Sequence, residues 1–277
     1  MQEPGKPGVS IMAMVDRRVV VGVDGSIRAD AAAQWAADEA YRQAAILRVV
    51  QVGPAGAGNQ SSRAARNLRA RYPGLVVEAV HGSGSPAPVL LEQARGSALL
   101  VLGVRGVGGH TAPALGAVAR EAADRSPGPV VLVPSGLWSG GARRADRVAV
   151  GVGPSQLPHH ALEFAFERAR SRQTRLRAVR AWRAAVPTGP PPPLAQRRAT
   201  WEGHEAQSLS DALRPWQEKY PQVRVWEDVV LLAPDRALLA ASERAELLVV
   251  GRHHHGLGPL LLSLVGQAHG AVAVVPD

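Results

Sequence analysis

The chain has 277 residues, 46% of them apolar, with a formal charge of +9 at neutral pH. That length holds two domains of ordinary size, the lack of cysteine excludes disulfides, thiolate metal sites and a cysteine nucleophile, and no apolar run reaches the ~20 residues of a membrane helix. Only Lys6 and Lys219 are lysine, so the basic residues are nearly all arginines spread along the chain; the charge alone is a weak warrant for nucleic acid, and with no helix-turn-helix, zinc-finger or aromatic RNP-like pattern beside it no such partner is expected.

Residues 1–16 are rich in Pro and Gly and hold only a short apolar patch, Val9–Val15, without a signal-peptide core or cleavage site. They read as a disordered tail of a cytoplasmic protein, with Met12 and Met14 as alternative starts. The first strand is Arg18–Val23, an apolar run suited to burial on both faces of a parallel sheet, and it ends at Asp24-Gly25-Ser26. A helix is expected over about Asp30–Gln43, with Ala33, Ala36, Ala37 and Ala40 on one face, Trp35 on another and Asp30 as its cap. Leu47–Val52 is a second strand, Ser61–Arg71 a basic helix, Leu75–His81 a third strand reached through Tyr72-Pro73, and Pro88–Ala94 a further helix.

Leu99–Leu102 is another continuous apolar strand. Gly103, Gly106, Gly108 and Gly109 follow it, and Gly116 heads a segment with helical spacing (Val118, Ala122, Ala123) that stops before Pro127-Gly128-Pro129. A strand feeding a glycine-rich loop onto a helix N-terminus suits an anion, because free N–H groups and the helix dipole point the same way. The same residues also suit a tight turn with no ligand. Val130–Pro134 closes the series as a last buried strand. Strands alternating with helices call for a parallel sheet with right-handed crossovers.

The series then restarts. Arg147–Val152 repeats Arg18–Val23, and Leu176–Trp182 repeats the second strand, both at a step of 129 residues. Tyr220-Pro221 repeats Tyr72-Pro73 and Leu247–Gly251 repeats Leu99–Gly103, now at a step of 148, which places an insertion at Val186–Thr200 around Pro190–Pro193. Val272–Pro276 repeats Val130–Pro134 at a step of 142; the six residues lost before it are expected to shorten the preceding helix. The chain is a tandem domain pair. A tail covers 1–16, the first domain 17–135, the linker lies at about Ser135–Ala145, and the second domain covers 146–277.

Laid out in this way, the chain resembles a tandem universal stress protein. The resemblance covers nearly everything from Arg17 to Asp277 and rests on Val19–Ser26, Trp35–Ala40, Leu47–Val52, Leu99–Pro134, Asp211–Val225 and Leu247–Arg252. It implies two tandem, open, parallel five-stranded sheets of Rossmann-like α/β form with helices on both faces. Nucleotide-binding members carry an acidic residue after the first strand and a G-x2-G-x9-G-[S/T] loop. Gly103, Gly106 and Gly116 fit that spacing. By this resemblance Asp24, with Val23, Gly25 and Ser26 around it, contacts the nucleoside, and the backbone of Val52 meets adenine. The loop from Gly103 through Arg105, Gly106, Gly108 and Gly109 to Gly116, Ala117 and Val118 wraps ribose and phosphates. Such a place agrees with ligand binding at the carboxyl ends of strands in open α/β sheets. An Asx turn or helix cap at Asp24-Gly25-Ser26 is the structural alternative for Asp24, and a solvated loop arginine the alternative for Arg105.

Ala117 departs from the pattern, standing where Ser or Thr is expected; the lost donor weakens binding without abolishing it. The second domain departs further. Gly153 replaces the acidic residue, His254 the second loop glycine and Leu264 the third. It is expected to be structural or a partner surface, packed on the first domain as a pseudo-dimer, with Val130–Val133 pairing with Val272–Val275. His253-His254-His255 reads as a solvated loop, since at most two consecutive side chains leaving a strand converge on one metal. His159-His160 reads as surface, and Trp35, Trp182 and Trp226 as core. Walker-type lysine loops, G-x-S-x-G elbows and H-E-x-x-H are absent from the sequence.

The expected function is therefore that of a stress protein holding ATP or a related adenine nucleotide in its first domain, with Mg2+ accompanying the nucleotide, and acting by binding. An interaction protein with both sites decayed, and a slow ATP hydrolase, are the alternatives. A further homodimer and an unidentified protein partner are both compatible with the sequence, and no membrane partner is expected.

Overall fold

The computed structural model describes residues 17–54, 59–104, 115–134, 146–153, 159–182, 194–252 and 256–276. The first half contains β1 (Arg18–Val23), α1 (Ile27–Arg42), β2 (Ile46–Val52), α2 (Gln60–Arg71), β3 (Val77–Gly82), α3 (Pro86–Gln93), β4 (Leu99–Gly103), α4 (Ala117–Arg125) and β5 (Val130–Val133). The second half contains β6 (Asp146–Gly151), α5 (His159–Ser171), β7 (Leu176–Ala181), α6 (Leu194–Lys219), β8 (Val225–Val230), α7 (Pro234–Arg244), β9 (Ala245–Arg252), α8 (Pro259–Gln267) and β10 (Ala271–Pro276).

Each half is a five-stranded parallel sheet, ordered β3-β2-β1-β4-β5 and β8-β7-β6-β9-β10. The two are joined edge to edge by antiparallel pairing of β5 with β10, where Val130, Val131 and Leu132 face Val274, Ala273 and Val272. The expected five-stranded sheets are thus halves of one ten-stranded sheet. Strand residues alternate between two apolar layers: Val19, Val21 and Val23 face α1 and α2, while Val20 faces the layer of α3 and α4. Burial on both faces explains why these strands lack the polar alternation of a half-exposed sheet.

Four expectations are corrected. Asp30 is not the cap of α1: Ser26 is extended (φ −76°, ψ 154°) and its Oγ accepts the Ala29 N–H at 3.1 Å. The helix therefore starts a turn earlier than expected, with Asp30 in its first turn. Trp226 is not core: it lies on β8, the outermost strand, at 39% exposure, with the guanidiniums of Arg175 and Arg177 at 5.3 and 4.9 Å from its ring. The helix before β10 is not shortened, since α4 and α8 both have nine residues. The deficit falls in the strand-to-helix loop, which spans 104–116 in the first half and only 253–258 in the second. Finally, the third strand, expected over Leu75–His81, runs over Val77–Gly82; residues 194–200 of the insertion are helical and begin the 26-residue α6.

The halves are also clamped by charge. Glu39 of α1, 0% exposed, meets Arg168 of α5 at 3.0 Å and Arg172, just past α5, at 2.5 Å. Burial alone pushes the Glu39 carboxyl up; the charges of Arg172 and Arg168, with hydrogen bonds from Arg172 and Gln43, bring it below its ordinary value of 4.5. Burial pulls the Arg168 guanidinium below its ordinary value, partly offset by Glu39. An arginine starts so high that the pair stays ionised. On the opposite face Arg252, ending β9, donates to the carbonyls of Ala123 and Asp124 at 2.8 and 2.5 Å and of Ser126 at 2.9 Å. It thereby caps the C-terminus of α4 with a positive charge, the favourable sign there. Asp124 in return accepts the Leu257 N–H at 2.8 Å.

A group with a depressed folded pKa contributes stability above its unfolded pKa and loses it as pH falls through the folded value. Glu39→Gln leaves two buried guanidiniums without their carboxylate and is expected to cost about 3–5 kcal/mol at pH 7. Urea unfolding followed from pH 7 to pH 3 should also show a shallower acid loss of stability in the variant than in the wild type.

Candidate functional site

The order of the first half puts β1 between β2 and β4, with α1 and α2 on one face and α3 and α4 on the other. The crossovers change face at β1 and β4, so a crevice opens at their carboxyl ends. There Val23 is buried, while Asp24 and Gly25 are exposed. Asp24 Oδ1 accepts the Ser26 N–H at 3.0 Å, a closed Asx turn. Gly25 holds φ +82°, and a Cβ there would lie 3.0 Å from the Gln60 side chain. Only glycine takes this turn without strain.

Gly103 ends β4 beside this turn. A Cβ at Gly103 would lie 3.0 Å from the Arg28 carbonyl oxygen, so the start of α1 and the end of β4 are in close contact. The chain returns at Leu115–Gly116, where the Gly116 N–H donates to the Val104 carbonyl at 2.9 Å. Gly116 is the N-cap of α4 and supplies no side-chain cap, and Ala117 is exposed in the first turn. Among the described residues no side chain caps the first N–H groups of α4, and the dipole at this end favours negative charge. Val52, half-buried, ends β2 on the far side of β1, and Val118 is half-buried in α4. The structure thus brings Val23, Asp24, Gly25, Ser26, Gly103, Gly116, Ala117 and Val118 to one edge of the sheet. Arg105, Gly106, Gly108 and Gly109 lie outside the described residues, as does the His253–His255 run.

The sequence reading missed Gln51. Its buried amide oxygen accepts the N–H groups of Gln60 and Ser61 at 2.8 and 3.2 Å, so it caps α2 from within the sheet. Beside it a cavity of about 210 Å³ opens between α1 and α2, lined by Gly25, Asp30, Gln34, Gln60, Arg63 and Asn67 among others. A polar residue in the apolar run of β2 was the available signal.

The second half rebuilds the same edge with different chemistry. Arg180 stands at the repeat position of Gln51; it is buried, and its Nε donates to Glu205 of α6 at 2.5 Å. Its Nη1 also donates at 3.3 Å to the carbonyl of Gly153, the residue standing in place of Asp24. The long α6 brings Trp201 edge-on to Trp182, with ring centroids 6.2 Å apart. A cavity of about 640 Å³ remains, lined by Trp182, Glu205, Asp235, Pro259 and Leu260 among others; among the described residues its lining has two carboxylates and no basic side chain. That lining opposes a polyphosphate. Replacing Gln51 by Leu should leave the Gln60 and Ser61 N–H groups unpaired and lower stability by about 1–3 kcal/mol. Hydrogen exchange should then speed up at the first turn of α2 and stay unchanged in α6.

A family model described as the universal stress protein family matches residues 16–70, 53–134 and 145–275. The chain is 32% identical over 305 residues to a universal stress protein of Mycobacterium tuberculosis (strain ATCC 25618 / H37Rv), covering 94% of this chain and 95% of that one. It is 29% identical over 289 residues to one of Mycolicibacterium smegmatis, covering 95% of each. A universal stress protein from Archaeoglobus fulgidus has a similar crystal structure, with a TM-score of 0.63 at 15% identity over 95% of this chain and 99% of that one. Among the described residues no helix is long and apolar enough to cross a membrane.

Proposed function

We propose, since this chain belongs to the universal stress protein family, that its first half binds ATP or a related adenine nucleotide and that the protein acts in the cytoplasm by binding rather than turnover. One observation supports this reading: Asp24 and the N-terminus of α4, which has no side-chain cap, both lie at the carboxyl edge of the first sheet, where Gly103 packs closely on the start of α1. Asp24 would take the ribose hydroxyls, the end of β2 at Val52 the base, and the first N–H groups of α4 a phosphate. The described residues contain no group of three His, Asp or Glu able to hold a metal, so Mg2+ would come with the phosphates. The Arg180–Glu205 pair and the two carboxylates facing the second cavity support leaving the second half without nucleotide.

A second reading, an interaction protein whose nucleotide site has decayed, is favoured by the turn that engages Asp24 and by the missing hydroxyl at Ala117. Calorimetric titration of ATP separates the two. The nucleotide reading predicts close to one site per chain, lost in Asp24→Ala. Ala117→Ser should tighten binding between about three-fold and somewhat over a hundredfold, the range for a hydrogen bond to a neutral or a charged acceptor. No heat and no thermal shift at millimolar ATP would leave the interaction reading.

A further inference from the structure

We infer that the two halves carry a charge code on their pseudo-two-fold axis that lets each half pair with the other and reject a copy of itself. This does not depend on the nucleotide reading. The axis is located by residues that meet their own repeat mates. In the sheet Val131 pairs with Ala273, which follows it by the same 142 residues that relate β5 to β10. In the helix layer above, Glu39 meets Arg168, which follows it by the same 129 residues that relate α1 to α5. A residue on an exact two-fold faces an identical copy. Valine facing valine, or alanine facing alanine, is harmless. A fully buried Glu39 facing a second Glu39, or Arg168 facing a second Arg168, places like charges together out of water.

The neighbouring positions follow the same rule. Gln43 and Arg172 are mates at the 129-residue step, and both donate to the Glu39 carboxylate, one to each oxygen. Trp35 and Phe164 are mates as well; Arg172 lies 5.7 Å from the Trp35 ring and Arg168 4.3 Å from the Phe164 ring, which gives each guanidinium one aromatic face. One half contributes a carboxylate with an amide, and the other contributes two guanidiniums. Two first halves would bring two Glu39 carboxylates together without the guanidiniums that now meet them, and two second halves would bring four guanidiniums together without Glu39. The strands β5 and β10 are apolar throughout and discriminate nothing, so within the layer of α1 and α5 the choice of partner rests on these four side chains, while Arg252 holds the opposite face. The chain closes on itself, and this face is not offered to a like half of a second copy.

The test uses the full chain in four forms: wild type, a basic variant (Glu39→Arg with Gln43→Arg), an acidic variant (Arg168→Glu with Arg172→Gln), and the exchange variant carrying all four changes. The basic and acidic variants should lose about 1 M or more of urea midpoint, and the exchange variant should regain most of that loss. The stretch 134–145 can reach about 40 Å when extended, enough to hand a second half to a neighbouring chain. Basic and acidic variants refolded together should therefore form a two-chain particle in native mass spectrometry, at twice the 29.1 kDa chain mass, which neither forms alone. Basic and acidic variants that unfold at the wild-type midpoint would overturn the inference. So would an exchange variant as unstable as either of them, or a co-refolded mixture without the two-chain particle.

Discussion

The antiparallel contact of β5 with β10, with the Glu39 carboxylate held above it, fixes the two repeats as one body. A buried carboxylate is tolerable only when its charge is met, and here two guanidiniums from the other half meet it. The opposite face is locked by Arg252, which reaches from the second half to the last carbonyls of α4. The N-terminus of that helix looks onto the edge of the sheet where Asp24 lies. The second half thus anchors, from behind, the helix whose N-terminus lies at the edge of the first sheet.

The two carboxyl edges show how one fold carries two chemistries. In the first half a glycine turn, the exposed carboxylate of Asp24 and a helix that begins at Gly116 without a side-chain cap stand at this edge. In the second, Arg180 takes the place of Gln51 and reaches both Glu205 and the Gly153 carbonyl. The lengthened α6 supplies Glu205 and Trp201, and the strand-to-helix loop before α8 is cut short. The second edge is thus occupied by its own side chains and framed by acids.

Strand positions, the tandem repeat and the joining of the last strands were legible from the sequence, because continuous apolar runs and recurring words such as RVVVGV and RVAVGV report burial directly. Helix starts were less legible. The choice of Ser26 over Asp30 depends on an extended backbone at Ser26, which periodicity does not encode. Trp226 was misplaced because an aromatic on a strand reads as core until the strand order makes β8 an edge. The lost six residues were assigned to a helix because length alone does not distinguish loop from helix. Gln51, Arg180, Glu39 and Arg168 went unread for a shared reason: a single polar residue in an apolar segment gains meaning only when its partner, often more than a hundred residues away, is known.

The central claim is that only one of the two related edges holds a nucleotide. Photolabelling with 8-azido-ATP followed by peptide mapping locates it most directly. The account predicts label, competed by ATP, on first-half peptides that end β1 and β2 or begin α4. Label on peptides containing Arg180, Trp182 or Glu205, or label that excess ATP does not displace, would contradict it.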